Sequence, residues 1–162
     1  MLFVFPITAA WSSVREPSQV FVLLETLYHA FDEIARRRRV FKVETVGDCY
    51  VAVTGLPDPQ KDHAVIMCRF ARDCINKVKV LTRRLEVTLG PDTADLAMRI
   101  GLHSGPVTAG VLRGERSRFQ LFGDTMVSTK MWADVDVELA SSHSMFLDNI
   151  EHGKSYGIDW RA

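Results

Sequence analysis

Lys42-Val43-Glu44-Thr45-Val46-Gly47-Asp48-Cys49-Tyr50 is the stretch whose reading decides the fold. Val40 to Val46 and Tyr50 to Thr54 are rich in β-branched and aromatic residues, and Gly47-Asp48-Cys49 interrupts them. That pattern predicts two antiparallel strands joined by a tight turn. Downstream, Gly55-Leu56-Pro57-Asp58-Pro59 reads as a loop, and Asp62 is a candidate N-cap for a helix. Ala64, Met67, Cys68, Ala71, Cys74, Ile75, Val78 and Leu81 recur at helical spacing and predict its buried face. Upstream, Glu16-Pro17-Ser18 opens another helix, with Pro17 in its first turn and Val20, Leu24, Leu27, Phe31 and Ile34 as its apolar stripe. Arg36 to Arg39 close that helix, where cations suit the dipole. The expected role of this run is a solvated helix end, with a phosphate or partner site as the alternative.

Leu2 to Ile7 reads as a short buried strand ending near Pro6. After the break at Gly90-Pro91-Asp92, Leu96 to Leu102 and Pro106 to Leu112 are expected to pair around a tight His103-Ser104-Gly105 hairpin, followed by a short strand at Phe119 to Phe122. The order is β-α-β-β-α-β with an added strand. It predicts an α+β, ferredoxin-like fold, an antiparallel-rich sheet with two helices on one face. Beyond Met126 the patterning weakens: Asp134 to Asp148 alternates poorly and Ser141-Ser142-His143-Ser144 reads as loop.

The 162 residues suit one domain, and their composition is that of an ordinary globular protein. Formal net charge is zero, so no global field draws nucleic acid or an anionic membrane, and neither is expected as a partner. An anionic ligand would need local positive charge or a metal. The three cysteines, Cys49, Cys68 and Cys74, have no paired-motif spacing, and reduced thiols in the cytoplasm are expected. No apolar run approaches the roughly 20 residues that span a bilayer, and the apolar start is not read as a signal peptide.

Three segments in order carry a family resemblance. Lys42 to Tyr50, followed by Gly55-Leu56-Pro57, resembles the signature hairpin of class III adenylate and guanylate cyclases. Arg99-Ile100-Gly101-Leu102-His103-Ser104-Gly105-Pro106-Val107 resembles their next hallmark, and Phe119-Gln120-Leu121-Phe122-Gly123-Asp124-Thr125 the third. Glu16 to Phe31 looks like the family's first helix. The resemblance covers roughly Ala10 to Met126. It implies a domain that cyclises a nucleoside triphosphate: the ribose 3′-hydroxyl attacks the α-phosphate, pyrophosphate leaves, and two Mg²⁺ or Mn²⁺ ions activate and neutralise the oxygens. By resemblance Asp48 is one of the two metal-binding aspartates. Glu44 stands where guanylate-type members read the guanine edge with a carboxylate, which accepts from two N–H donors that adenine does not offer in that arrangement. GTP is therefore favoured over ATP. Gln120 matches the second base-reading position, and Arg99 an arginine near the phosphates and the dimer interface. Lys42 is expected to be structural or interface-forming, and Asp124 to cap the next helix. Family members act as head-to-tail dimers, so a homodimer or a heterodimer with another cyclase domain is implied.

The sequence also departs from the family. Members begin with Phe-x-Asp-Ile-x-x-Phe-Thr, whose aspartate is the other metal ligand; here the ungapped counterpart is Val4, and no acidic residue precedes Glu16. After Gly-Asp-Thr the family has an asparagine and an arginine that orient ribose and stabilise the phosphate charge; Val127 and Met131 stand there. Lys130 would replace the arginine only with a gap, and Lys154 does not align securely with a later phosphate-binding lysine. Both departures start abruptly. Val127-Ser128 can be encoded by GTAAGT, a common intron start, so residues 1 to about 9 and 127 to 162 are expected to be sequence foreign to the family. The expectation is one incomplete domain over residues 1–162, with a family-like core at 10–126 and a divergent tail at 127–162. Its cyclase activity should be impaired. The alternatives are a catalytically inactive pseudo-cyclase serving as a dimerisation, regulatory or nucleotide-binding module, and an unstable fragment. Localisation is expected to be cytoplasmic, with a longer membrane-anchored parent allowed.

Overall fold

The computed structural model describes residues 2–6, 9–96, 98–112, 118–125 and 156–159, and for residues 2–6, 9, 10, 99 and 156–159 the backbone alone. Two long helices form where the apolar stripes predict them. Helix α2 (Pro17–Arg38) begins with Pro17 at its first position, and the Glu16 N–H donates to the Gln19 side-chain oxygen at 3.3 Å. Its buried line is Leu23, Leu27, Ala30, Phe31, Ile34 and Ala35; Leu23 rather than Leu24 faces fully inward. Arg39 ends it in the left-handed region (φ 57°), and Arg38 pairs with Asp73 at 2.7 Å. Most of the arginine run is thus spent on the helix end and on tying it to the second helix. That helix, α3 (His63–Leu89), buries every residue of the expected stripe, including Cys68 and Cys74. Asp62 sits at its N-cap position without a side-chain cap bond. A short helix α1 (Ala9–Ser12), not foreseen, brings Trp11 into the core, where its indole N–H donates to the Thr93 hydroxyl at 3.3 Å.

The sheet contains β1 (Leu2–Pro6), β2 (Phe41–Val46), β3 (Cys49–Val53), β4 (Met98–Leu102) and β7 (Tyr156–Asp159) in the order β2-β3-β1-β4-β7, all antiparallel. The first four strands carry the ferredoxin-like order, with β1 between β3 and β4. Both helices pack on one face. There Leu23, Phe31, Tyr50, Ala52, Phe70, Cys74 and Ile100 belong to one core. At about 25 cal/mol per Å² of apolar surface removed from water, that core is the main stabilising term.

The opposite face carries a second layer. Strands β5 (Thr108–Leu112) and β6 (Arg118–Phe122) form a separate two-stranded sheet. Leu121 of β6 joins Cys49, Val51 and Val53 of β3 in a smaller core, and Phe119 meets Phe41 edge-on at 5.2 Å. The strand pair expected around His103-Ser104-Gly105 does not form. Both edges of β4 are already filled by β1 and β7, and Pro106 has no N–H to give a ladder. The chain leaves the sheet after Leu102, and β5 pairs with β6 instead. Residues 7–8 and most of the tail, including the weakly patterned stretch 134–148, lie outside the described residues.

Candidate functional site

Gly47 and Asp48 form the two-residue connection between β2 and β3, with Val46 paired to Cys49 behind them. Gly47 takes φ 60° while Asp48 keeps a negative φ, the arrangement of a hairpin turn that needs a positive φ only at its first central residue. An aspartate at this point stands at the tip of a ladder rather than on a free loop. Helix α2 braces it from behind. The Tyr28 hydroxyl donates to the Gly47 carbonyl at 3.2 Å. Burial, and after it the Asp48 carboxylate, push the Tyr28 phenol well above its usual pKa.

One helical turn on, Asp32 accepts from the Tyr50 hydroxyl at 2.7 Å and pairs with Lys42 at 2.9 Å. The Lys42 ammonium also lies 5.1 Å from the centre of the Tyr50 ring. These contacts hold Lys42 on the helix side of the hairpin. The sequence reading missed Tyr28 and Asp32. Their signal was an i, i+4 pair of polar residues flanking Phe31, on the very face that buries.

Glu44 does not simply alternate along its strand. The register steps from Lys42 opposite Ala52 to Glu44 opposite Val51, so Val43 is the extra residue of a β-bulge. Val43 packs on the second core, and Glu44 now pairs with a residue of that same face. The bulge thus keeps Lys42 toward the helices and turns Glu44, half-buried, toward the β5–β6 side. Gln120, also half-buried, pairs with Gly110 and alternates with Phe119 and Leu121, which face the main sheet. Strand β6 neighbours β2 through the Phe41–Phe119 contact, but no hydrogen bond links Glu44 to Gln120.

Arg99 stands opposite Phe5 on one side and Asp159 on the other. Continuing the β1–β3 register places Phe5 level with Cys49, so Arg99 lies in the row beside the Asp48 turn. Two strand spacings separate them, about 10 Å.

His103 follows β4 at the far end of the sheet, and burial lowers its pKa. Its neighbour Ser104 bonds to the His63 imidazole at 2.8 Å. Both His103 and Ser104 lie at the end of the sheet remote from Asp48. Thr125 is buried and donates to the Pro106 carbonyl at 2.8 Å, and Asp124 begins a helical turn. Val127, Lys130, Met131 and Lys154 lie outside the described residues.

The oxygen donors around Asp48 can be tested against a pair of divalent ions. Val4 stands in register with Tyr50 and Ile100, both of the helix-side core, and Pro6 is the residue level with Asp48 when the register is continued. Neither supplies a carboxylate. Among the described residues no three His, Cys, Asp or Glu side chains gather to hold a metal. Among the described residues, two cations do not fit this donor set. One cation already carried on a triphosphate does, since such ions commonly keep one or two protein carboxylates beside phosphate oxygens.

The family profile described as "Adenylate and Guanylate cyclase catalytic domain" matches residues 4–136. The chain belongs to that family. It is 42% identical over 115 residues to receptor-type guanylate cyclase gcy-28 of Caenorhabditis elegans, covering 71% of this chain and 9% of that protein. It is 39% identical over 158 residues to human retinal guanylyl cyclase 2, covering 93% of this chain and 13% of that protein. The latter alignment necessarily runs past Met126, and the chain spans only a small part of either relative. Among solved structures, the guanylate cyclase domain of RhGC from Catenaria anguillulae in complex with GTP matches with a TM-score of 0.72 at 35% identity, covering 82% of this chain and 69% of that one. The adenylyl cyclase CyaB from P. aeruginosa, at 22% identity and a TM-score of 0.72, shares the cyclase fold, covering 80% of this chain and 67% of its own.

Proposed function

We propose that this cyclase-family domain binds a nucleoside triphosphate, GTP in preference to ATP, and that its conversion to a 3′,5′-cyclic nucleotide and pyrophosphate is impaired in the chain as it stands. The observation that carries the reading is Asp48 at the tip of a braced turn, with Glu44 turned by the bulge to the β5–β6 face close behind it. Asp48 would meet a Mg²⁺ or Mn²⁺ ion brought on the triphosphate, Glu44 and Gln120 the base, and Arg99 the phosphates. The missing carboxylate on β1 supports impairment, because loss of a ligand or its support commonly lowers metal affinity or activity by about ten- to a hundredfold.

A second copy or another cyclase domain is the proposed protein partner. Strand β5 is exposed along its whole length, with Val111 and Leu112 outward, and Phe122, Val46 and Phe21 expose further apolar surface. Relatives of known structure include guanylyl cyclase domains described as dimeric and as monomeric. None of the described helices is long and apolar enough to cross a membrane. We place the domain in the cytoplasm, where its buried thiols stay reduced. A membrane anchor elsewhere in a longer parent is compatible with this. We retain the family-like core at 10–126 and the divergent tail as a proposal, with β1 and β7 nonetheless taking places in the sheet.

The test is Mn-GTP titration with parallel assay of cyclic product. Metal-dependent binding that Asp48→Ala abolishes, with little or no product, is the expected result. The inactive-module reading, favoured by the carboxylate-free β1, predicts metal-dependent GTP binding with no product from this chain, and a changed activity of an intact cyclase partner added to it. Mn²⁺ dependence that survives Asp48→Ala rejects the ligand role.

A further inference from the structure

Tyr28 is a half-buried polar residue of α2. Its ring belongs to an aromatic stack on the inner side of α2, with centroids 6.4 Å from Phe31 and 5.8 Å from Tyr50. Packing alone would be served by phenylalanine. The hydroxyl does something packing does not: it donates to the Gly47 carbonyl at 3.2 Å.

That carbonyl belongs to the peptide unit joining Gly47 to Asp48, and a peptide unit is planar. Holding its oxygen therefore fixes the plane from which the Asp48 backbone departs. Only the Gly47 ψ and the Asp48 φ remain soft beside it, and Gly47, at φ 60°, has no side chain to restrict the turn. The rest of the hairpin is anchored separately. Asp32 holds Lys42 of β2 and Tyr50 of β3. Tyr28 and Asp32, one helical turn apart on α2, thus divide the work. Asp32 ties down the two strands and Tyr28 the turn between them.

We propose that Tyr28 is a positioning residue for Asp48: its hydroxyl, bonded to the Gly47 carbonyl, sets the peptide plane that aims the Asp48 carboxylate at a cation carried by the nucleotide triphosphate. This rests on the reading of Asp48 as a metal-contacting residue. The role requires a hydroxyl at the end of the ring and is insensitive to the Lys42–Asp32 pair, which supports the strands.

The experiment is calorimetric titration of Mn-GTP, and of GTP with chelator, into the parent chain and into Tyr28→Phe, Asp48→Asn and Lys42→Met. Tyr28→Phe keeps the stack, so its thermal midpoint should stay near the parent's while its Mn-GTP affinity falls by about two- to tenfold, the range of one lost hydrogen bond. Its metal-free GTP binding should not change. Lys42→Met should lower the thermal midpoint and leave the Mn-GTP affinity of the folded protein intact, and Asp48→Asn should lose the metal-dependent part. If Tyr28→Phe does not fold, Tyr28→Met removes the same donor and should show the same selective loss. Unchanged Mn-GTP affinity in Tyr28→Phe, beside loss in Asp48→Asn, overturns the positioning role alone. Unchanged affinity in Asp48→Asn, or no Mn-GTP binding by the parent, overturns the Asp48 reading and the role of Tyr28 with it.

Discussion

At the scale of single residues, the hairpin assigns each polar group by the face it occupies. The bulge at Val43 places Lys42 and Glu44 on opposite sides of the same strand, so one faces the helix-side core and the other the β5–β6 layer. Glu44→Lys should therefore act on specificity more than on stability. A lysine repels the N–H donors of the guanine edge, and competition binding should show the preference for GTP over ATP weakened or reversed. Equal affinity of the parent for the two triphosphates would remove the base-reading role. The resemblance of three ordered motifs to the cyclase family singled out Asp48, Glu44, Gln120 and Arg99 as candidates. It missed Tyr28 and Asp32, because a tyrosine and an aspartate inside a helical stripe gain meaning only from what lies across the sheet. Gly47→Ala should also be felt. Nothing crowds its Cβ position, but an L-residue at φ 60° is strained by about 1–2 kcal/mol, a loss that a urea melt would resolve.

At the scale of elements, α2 and the hairpin act as one unit. Asp32 bonds to Tyr50 and Lys42, which lie on adjacent strands, and its side chain is about a third exposed. Asp32→Ala strands the Tyr50 hydroxyl and frees Lys42, and should destabilise the fold by about 1–3 kcal/mol, read as a shift of the denaturant midpoint. No shift would mean that water replaces the carboxylate fully. Strand β1 teaches a different lesson. Its residues depart from the family pattern, yet Leu2–Pro6 occupies the central slot of the sheet between β3 and β4. An apolar strand of the right length fills that slot whatever its acidic content, so departure from a catalytic motif does not imply departure from the fold. The misjudged element was the β4–β5 connection. Two β-rich runs around His-Ser-Gly look like a hairpin locally, and only the competition of β1 and β7 for the edges of β4 shows that they are not.

At the scale of the whole molecule, the two layers bury groups that titrate at high pH. Burial pushes the Cys68 thiol up to about 12 and the Cys74 thiol well above its usual value. Burial, and then the bond to Asp32, raises Tyr50. Each of these groups is held protonated in the fold and releases its proton sooner when unfolded. Their contribution is complete below about pH 9, the ordinary thiol value, and is lost as pH rises toward the folded values. Stability should thus be flat through neutrality and fall above about pH 9, and alkylation at pH 8 should leave Cys68 and Cys74 unmodified until denaturant is added. Rapid native labelling of either, or stability rising with alkali, would contradict this packing. The sequence by itself determined the order of β1 to β4 and the two long helices, and the helix-side core, because these depend on periodicity and turn chemistry, which are local; the candidate site residues came from the resemblance of three motifs to a family. The tertiary structure alone decided that β5 leaves the main sheet, that the bulge turns Glu44 to the β5–β6 face, and that Tyr28 braces the Asp48 turn. Each of these depends on which strand edge or which hydroxyl is nearest in space, and residues 19 or more apart in the chain meet there only after the two faces of the sheet have been covered.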